Sequence, residues 1–472
     1  MKYRYSMMLI GFMLLGVTLS ARQYKVADRM EFDRTVPLLQ PGDSVVLRAG
    51  VWKDAALKFY ANGTPERPVF LCAERPGAVS LEGKSELKLA GSHLNVSGLV
   101  FRNGYAVSSV VIEFRIPGQG AAEYCTLSEC VIDSYNKPQN KREQWIQVYG
   151  RHNTVERCWL AGKTNPGMTL AVRLDSREKG AYNHCIRRNY FGVRPPVHQN
   201  GGETIQIGLA EVAEQNCRTV VEENYFEHCD GEIEIISVKS SENVIANNVF
   251  FECVGMLTLR HGHRNRVYGN LFIGNGLKGT GGVRVINYGQ EIFNNIFYRL
   301  RGQGTASALT VLNGIPQALP KEYMQVRDAC IYNNTFYECA TPWHLCFGSS
   351  EKRSLCPTNT FIVNNLVYCP AEDSLIKRYD NTDSIRFENN LLIDRKGIQK
   401  DAGGVKGKTA IENKKVFQVA TTAVLAVPFD FMNNPEVNEK FGQDKYVGAV
   451  QSGVAIPAIP DKNLYGPVWY KK

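Results

Sequence analysis

The chain has 472 residues, of which 44% are hydrophobic and 21% are charged, so it can bury a large core and is not intrinsically disordered. Its formal charge is +9, and loss of Lys2 and Arg4 with a leader would leave +7. A basic chain favours a polyanionic partner. Because the sequence has no nucleic-acid-binding motif, an acidic glycan fits better than nucleic acid.

The first 21 residues have the pattern of a secretory signal peptide. Lys2 and Arg4 precede an apolar stretch, residues 7–19, and the small residues Ser20 and Ala21 follow it. The stretch is shorter than the roughly 20 residues that span a bilayer, and no cysteine follows it, which argues against a membrane or lipid anchor. We therefore expect an exported protein, periplasmic or secreted, without membrane contact after cleavage.

A four-residue pattern recurs along the middle of the chain: a polar residue, Asn, an aliphatic or aromatic residue, and Phe. Clear copies are at 188–191, 223–226, 247–250, 269–272, 294–297 and 333–336, with weaker copies at 364–367 and 389–392. Successive Asn residues are 35, 24, 22, 25, 39, 31 and 25 positions apart. A unit of 22 to 25 residues without helical periodicity is too short for a propeller blade and is typical of one solenoid coil of short strands.

The repeat predicts an all-β fold, a right-handed single-stranded parallel β-helix with loop insertions at the long spacings. The Asn residues would form a ladder at a turn, and the Phe residues would stack inside, about 4.8 Å apart. Degenerate copies at 98–101 and 156–159 indicate that the coils begin near residue 40 and continue to about 400. We expect a monomer in which residues 22–409 form the β-helix and 410–472 form an extension that packs on the last coils.

The thirteen cysteines could form a disulfide framework. Five of them lie next to the repeated pattern: Cys158, Cys229, Cys253, Cys339 and Cys369. A free thiol is a small hydrophobic group that stacks well in a core. We therefore expect mostly buried thiols, with one or two bridges, and the sequence has no CxxC zinc spacing.

Residues 231–239 include two glutamates, Glu232 and Glu234, that alternate with Ile233 and Ile235. Strand alternation would place the two carboxylates together on the outer face and the isoleucines inside. Adjacent carboxylates repel each other unless a cation lies between them, and Ca²⁺ prefers oxygen ligands. A solvated acidic edge is the alternative interpretation.

Three cations follow at nearly one coil of spacing. Lys239, Arg260 and Arg284 are 21 and 24 positions apart, which predicts a cationic column on successive coils. Such a column needs a compensating anion, either fixed in the protein or bound from solution. His261 follows Arg260, and a lone His is more often a packed or surface residue than a ligand.

Several of these motifs together resemble one known family. The segment 200–208 begins Asn-Gly-Gly-Glu and resembles the signature of polysaccharide lyase family 6, which includes alginate lyases and chondroitinase B. The Glu-x-Glu followed by Lys239, and the Arg-His-Gly at 260–262, are similar to motifs of the same family. The resemblance covers roughly 25–400 and is densest from 185 to 290. It implies a parallel β-helix that cleaves a uronate glycan by β-elimination.

The resemblance also implies roles for seven residues. They are the calcium ligands Asn200, Glu232 and Glu234, the general base Lys239, the general acid Arg260, and the substrate contacts His261 and Arg284. A cation beside the uronate carboxylate would stabilise the charge that develops when the C5 proton is removed. Because a guanidinium holds its proton tightly, Arg260 is better suited to stabilising the leaving alkoxide while water supplies the proton. Gln206 is a departure, since many relatives carry Arg there.

Several functions remain open at this point. Alginate is the expected substrate, and dermatan sulfate is the alternative with the same chemistry. A uronan C5-epimerase would share the proton abstraction. A glycoside hydrolase would use paired carboxylic acids without a lysine base. A non-catalytic glycan-binding protein would bind the polymer without releasing product.

Overall fold

Three long sheets, named A, B and C, form the structure, a computed structural model that describes residues 20–175, 180–388, 390–399 and 459–470. Within these residues each sheet has 14 strands. Sheet A contains β1 (Gln23–Val26), β2 (Ser44–Leu47), β5 (Val69–Ala73), β8 (Leu94–Ser97), β13 (Thr126–Ser128), β16 (Thr154–Glu156), β19 (Cys185–Arg187), β22 (Val220–Glu222), β25 (Val244–Ala246), β28 (Arg266–Tyr268), β31 (Glu291–Phe293), β34 (Cys330–Tyr332), β37 (Thr360–Val363) and β40 (Ile385–Glu388).

The other two sheets are also parallel, apart from one antiparallel pair of strands in each. Sheet B contains β3 (Gly50–Lys53), β6 (Val79–Gly83), β9 (Leu99–Gly104), β14 (Val131–Asp133), β17 (Trp159–Ala161), β20 (Tyr190–Arg194), β23 (Tyr225–Cys229), β26 (Val249–Phe251), β29 (Leu271–Ile273), β32 (Ile296–Tyr298), β35 (Thr335–Tyr337), β38 (Leu366–Tyr368), β41 (Leu391–Asp394) and β42 (Gly397–Gln399). Sheet C contains β4 (Ala56–Asn62), β7 (Glu86–Ser92), β10 (Val110–Glu113), β11 (Arg115–Ile116), β12 (Gly120–Glu123), β15 (Gln144–Val148), β18 (Leu170–Val172), β21 (Ile205–Gly208), β24 (Glu234–Lys239), β27 (Gly255–His261), β30 (Thr280–Val285), β33 (Leu309–Leu312), β36 (Trp343–Phe347) and β39 (Ile376–Arg378). The antiparallel pairs are β41–β42 in sheet B and β11–β12 in sheet C.

Each regular coil contributes one strand to sheet A, then one to B, then one to C. Thus β22, β23 and β24 form one coil, and each pairs in parallel with the strand one coil later, β25, β26 and β27. This arrangement confirms the predicted right-handed parallel β-helix. The described helices are α1 (Arg29–Thr35) and four short 3₁₀ segments, Val36–Leu38, Ala210–Val212, Gly304–Ala306 and Lys462–Leu464. None of these described helices has the length and apolarity needed to cross a bilayer.

The predicted Asn ladder lies at the turn between sheets A and B. Asn224 Nδ2 donates to Asn248 Oδ1 at 3.0 Å, and equivalent bonds continue in both directions, from Asn189 to Asn390. Asn248 Nδ2 also donates to the carbonyl oxygen of Val221 at 2.9 Å. The ladder therefore satisfies buried backbone groups at this turn of each coil.

The predicted aromatic stack lies inside the coils. Neighbouring ring centroids are 4.5 to 4.9 Å apart along one column, which consists of Phe191, Phe226, Phe250, Phe272, Phe297 and Phe336. All thirteen cysteines are free, and nine are buried. The expected buried thiols are confirmed, but the expected one or two bridges are wrong, since none forms. Cys158 occupies a ladder position, since its backbone N–H donates to Asn189 Oδ1 at 2.9 Å.

The two ends differ in part from the expectation. The first coil begins earlier than residue 40, with β1, and α1 buries Phe32 in the core beside it. The predicted signal peptide and residues 410–458 of the predicted extension lie almost entirely outside the described residues. The described part of the extension, 459–470, packs on sheet B in the first half of the β-helix: the Tyr465 ring lies 5.3 Å from that of Tyr225. Outward-facing aromatic side chains of sheet B provide the apolar surface that this segment covers.

Candidate active site

Glu234 lies at the centre of a charged cluster on the outer face of sheet C. Its Oε1 accepts hydrogen bonds from Arg260 Nη1 at 2.7 Å and from Arg284 Nη2, and its Oε2 accepts one from Ser237 Oγ at 2.5 Å. Glu234 is only 2% exposed. Burial raises the pKa of Glu234, but the charges of Arg284 and Arg260 outweigh burial and hold that pKa below its usual range. Glu234 is therefore the fixed anion that the predicted cations require.

Lys239 ends β24 and reaches back over sheet C to the same cluster. Its Nζ lies 3.4 Å from Oε1 of Glu203, which is 2% exposed. The other carboxylate oxygen of Glu203 is buried and has no hydrogen-bond partner within the described residues. Glu203 belongs to the Asn-Gly-Gly-Glu motif but carried no predicted role, so the structure adds it to the site.

The glycine-rich loop before β21 binds the second predicted carboxylate. Glu232 Oε2 accepts hydrogen bonds from the backbone N–H groups of Gly201 and Gly202, each at 2.9 Å. A Cβ on Gly202 would lie 2.2 Å from the carbonyl oxygen of Gly231, so this close approach requires glycine. Burial raises the pKa of Glu232, and the charge of Glu203 raises it further. The two carboxylates therefore lie close enough to repel each other.

Asn200 is the exposed member of the predicted set. It lines a cleft of about 510 Å³ together with Glu232 and Ile233 at the edge of sheet C. Below the loop, the buried Arg194 guanidinium donates to the carbonyl oxygens of Glu203 and Gly167, both at 2.7 Å. Arg194 thus supports the backbone that carries Asn200 and Glu203, a role that no sequence pattern indicated.

His261 is 5% exposed and adjoins the cluster. Burial lowers its pKa to about 4, and the charge of Arg260 contributes to that shift. Its Nδ1 lies 3.3 Å from the carbonyl oxygen of Glu322. Because a carbonyl only accepts, the neutral ring donates from Nδ1 and leaves Nε2 as an acceptor.

Tyr323 was not predicted from the sequence. Its ring centroid lies 5.0 Å from the guanidinium carbon of Arg260 and 5.7 Å from that of Arg353, so two cations contact one aromatic ring. Tyr323 belongs to the insertion between β33 and β34, outside the repeated pattern. No signal in the repeat could have located it.

Two predicted orientations are wrong. Ile233 is 43% exposed, because β24 begins only at Glu234 and residue 233 precedes the regular strand. The prediction of a single cationic column is also wrong. In the sheet, Arg284 lies beside Thr258, and Lys239 lies beside His261 across a β-bulge, so neither is in register with Arg260. Arg284 joins the cluster because its side chain reaches Glu234 across the intervening strand, β27.

Gln206 lies in β21 under the cluster and is 2% exposed. Its Nε2 donates to the carbonyl oxygen of Gly208 at 3.0 Å, and its Oε1 has no hydrogen-bond partner within the described residues. Because glutamine is uncharged, this position makes no ion pair beneath the site.

Whether the site suits a cation depends on its oxygen donors. In the described part of the chain, His, Cys, Asp and Glu side chains form no group of three or more that could hold a metal by themselves. The unpartnered oxygen of Glu203, the repelled carboxylate of Glu232 and the nearby Asn200 amide form an oxygen-only set of the kind that Ca²⁺ prefers. Glu234 already accepts bonds at both oxygens, although a carboxylate oxygen can accept more than one partner. By donor type, this oxygen set suits a hard cation.

The fold and the cluster define a class of protein: a parallel β-helix with a lysine, two arginines and acidic side chains on the outer face of one sheet. A family model described as chondroitinase B matches residues 26–434. The chain therefore belongs to polysaccharide lyase family 6, as the motifs predicted. No match was found among curated protein sequences.

Solved structures agree with this assignment. The PL6 family alginate lyase AlyGC is 41% identical over 78% of this chain, with a TM-score of 0.76, and a point variant of AlyGC is 37% identical over 95%, with a TM-score of 0.80. The chain covers only 51% and 59% of those two proteins. A mannuronic acid specific family 6 lyase from human gut microbiota is 32% identical over 79% of this chain and 86% of its own, with a TM-score of 0.72.

Proposed function

We propose that this protein cleaves alginate by β-elimination and leaves an unsaturated uronate at each new end. The observation that carries the proposal is that Lys239, Arg260 and Arg284 meet around one buried carboxylate, Glu234, on one face of the β-helix. An amine beside two guanidinium groups is what proton removal next to a uronate carboxylate requires. Family membership supports the same reaction class.

The C5 proton of a uronate is weakly acidic, because its removal places further negative charge beside a carboxylate. Arg284 would bind that carboxylate and stabilise the developing charge. Lys239 Nζ, when neutral, would accept the proton. Substrate must first separate Lys239 from Glu203, since that ion pair occupies the amine in the free protein.

The leaving oxygen needs charge stabilisation and a proton. Burial lowers the pKa of Arg260, but the charge of Glu234 outweighs burial and raises that pKa. A guanidinium with a raised pKa stabilises an alkoxide better than it donates a proton, so we assign proton delivery to water. His261 stays neutral above about pH 4 and offers Nε2 as an acceptor to a substrate hydroxyl.

We propose that Ca²⁺ binds at the acidic end of this cluster. Asn200, Glu232 and Glu234 would hold it, with the free oxygen of Glu203 as an additional ligand. A bound divalent cation would supply Lewis-acid stabilisation of the uronate carboxylate. Binding would also relieve the repulsion between Glu203 and Glu232.

Alginate, and mannuronate-containing alginate in particular, is the favoured substrate, because three solved relatives above 30% identity are described as alginate or mannuronic acid specific lyases. Dermatan sulfate is the second candidate, favoured by the description of the matching family model. We also propose that the protein acts outside the cytoplasm, where such polymers occur, and that it acts as a monomer.

The test is a substrate panel of alginate, polymannuronate, polyguluronate and dermatan sulfate, followed by the ultraviolet absorbance of unsaturated uronate, with and without chelator. A rise on the alginate polymers that Lys239→Ala abolishes would support the proposal. Absorbance on dermatan sulfate alone would select the second candidate. Epimerised polymer without absorbance, or saturable binding without product, would refute the lyase reaction.

A further inference from the structure

The insertion between β33 and β34, residues 313–329, folds back over the active site. Two of its residues contact the cluster. The carbonyl oxygen of Glu322 lies 3.3 Å from His261 Nδ1, and the ring centroid of Tyr323 lies 5.0 Å from the guanidinium carbon of Arg260. The insertion therefore forms one wall of the site.

Asn287 joins this wall to the strand that carries Arg260. Its Oδ1 accepts a hydrogen bond from the backbone N–H of Met324 at 3.2 Å, and its Nδ2 donates to the carbonyl oxygen of Arg260 at 3.3 Å. Arg260 lies in β27, Asn287 follows β30, and Met324 belongs to the insertion that follows β33. One side-chain amide thus connects three consecutive coils.

The backbone conformation of Asn287 does not by itself explain this residue. Its φ is 66°, in the left-handed region that glycine adopts freely and asparagine tolerates. Asn247 and Asn275 also lie in that region, with φ of 55° and 48°, but their side chains are exposed, whereas Asn287 is 1% exposed. A buried amide needs hydrogen-bond partners, and those of Asn287 belong to the wall and to a catalytic strand.

The other side of the insertion is braced separately. Gly314 and Leu355 exchange two backbone hydrogen bonds of 2.8 and 3.0 Å, and Gln325 Nε2 donates to the carbonyl oxygen of Cys356 at 2.7 Å. Loss of the Asn287 amide should therefore loosen the side of the insertion that faces the site, while its base stays attached.

The orientation of Arg260 depends on this wall. Its Nη1 donates to Glu234 at 2.7 Å, whereas its Nε is buried and has no hydrogen-bond partner in the part of the chain that the structure describes. The contact with the Tyr323 ring supplies a second constraint on the planar guanidinium. Because Met324 directly follows Tyr323, its bond to Asn287 sets the position of that ring.

We infer that Asn287 is a positioning residue for the elimination, which holds Tyr323 against Arg260 and Glu322 against His261. The inference rests on the proposed function and deepens it, because Arg260 is there assigned to the leaving oxygen. The charge on that oxygen develops only in the transition state. A misplaced guanidinium therefore lowers kcat and leaves KM nearly unchanged.

The test compares Asn287→Gly with wild type on polymannuronate, with Asn247→Gly as the matched control. Glycine keeps the positive φ in both variants and removes only the side-chain amide. We expect kcat to fall about tenfold or more in Asn287→Gly, with KM within about twofold, since a displacement of about 1 Å can cost about a hundredfold in rate. Asn287→Asp keeps an acceptor for the Met324 N–H and loses the donor to Arg260, so its kcat should lie between the two. The control should match wild type.

Circular dichroism and urea midpoints establish whether each variant is fully folded under the assay conditions. A loss of kcat that only follows the unfolded fraction, an unchanged kcat in folded Asn287→Gly, or a loss that resides entirely in KM would overturn the inference.

Hydrogen exchange gives a readout that does not depend on turnover. We expect faster exchange in residues 313–329 and in β27 of Asn287→Gly, and unchanged exchange there in Asn247→Gly. If wild type cleaves no uronan, this result would support the role of Asn287 as an anchor and refute only the lyase reaction. Equal exchange in both variants would refute the anchor as well.

Discussion

Replacing Glu234 with Gln tests the electrostatic centre of the site. The substitution keeps the shape of the side chain and removes the charge that faces Arg260 and Arg284. Glu234 is 2% exposed and the Arg284 side chain is 7% exposed, so both lie largely out of water. Removal of one partner from a buried ion pair costs about 3–5 kcal/mol, because the other charge stays buried without compensation.

Glu242 provides a matched control. It also pairs with two arginines, Arg218 at 2.7 Å and Arg264 at 3.0 Å, but these are more than half exposed. Exposed pairs contribute about 0.2–1 kcal/mol each. Glu242→Gln should therefore lower the free energy of unfolding by at most about 2 kcal/mol and leave turnover intact.

The assay is urea unfolding, followed by far-ultraviolet circular dichroism, together with the rate of product formation. A solenoid can unfold in parts, so hydrogen exchange in β24, β27 and β30 should show whether the loss is local. The pKa of Glu234 is lowered in the folded protein, so its contribution is present above the ordinary value of 4.5 and is lost as the pH falls through the folded value. The difference between wild type and Glu234→Gln should therefore shrink below about pH 4. Equal losses for both variants at pH 7, or full activity in Glu234→Gln, would refute the argument.

Three further predictions follow from other contacts. Asn248→Ala should lower the free energy of unfolding by about 2–4 kcal/mol, because the substitution leaves buried ladder groups without partners. Asn247→Gly, at the exposed neighbouring position, should change the free energy of unfolding little. Urea midpoints of the two variants would show the difference. Chelation should abolish turnover and lower the urea midpoint, and added Ca²⁺ should restore both; an unchanged midpoint and rate would exclude the calcium site. Burial lowers the pKa of His261 and His344 to about 4, so the unfolded chain takes up these protons first and stability should fall as the pH drops from about 6.5 to 4; a flat urea midpoint over that range would contradict this.

The coils could be predicted because their spacing, ladder residues and stacked rings all repeat. Asn224, Asn248 and Asn270 occupy equivalent turns, so one pattern in the sequence corresponds to one place in space. The site residues were predicted as a group for a different reason: the motifs that contain them resemble those of polysaccharide lyase family 6. Counting of positions alone placed Arg284 in the wrong column and Ile233 on the wrong face.

The site residues that were not predicted from the sequence lie outside the repeated four-residue pattern. Tyr323 lies in an insertion more than 60 positions after Arg260, and only the folded chain brings its ring beside that guanidinium. Arg194 contributes through buried bonds to backbone carbonyls, a function that does not depend on any periodic position. Such contacts depend on the three-dimensional path of the chain, which a local pattern does not encode.

The errors in orientation coincide with the irregular part of sheet C. The pairing of β24 with β27 shifts register near Glu234 and again at Lys239, and the pairing of β27 with β30 shifts after Gly255. A bulge redirects side chains, which is why such irregularities are common beside active sites. Here the shifts release Glu234 and Lys239 from strict alternation and let their side chains converge with Arg260. The rule that predicts a β-helix from regular spacing thus fails where the reactive side chains lie, because their convergence requires a break in that regularity.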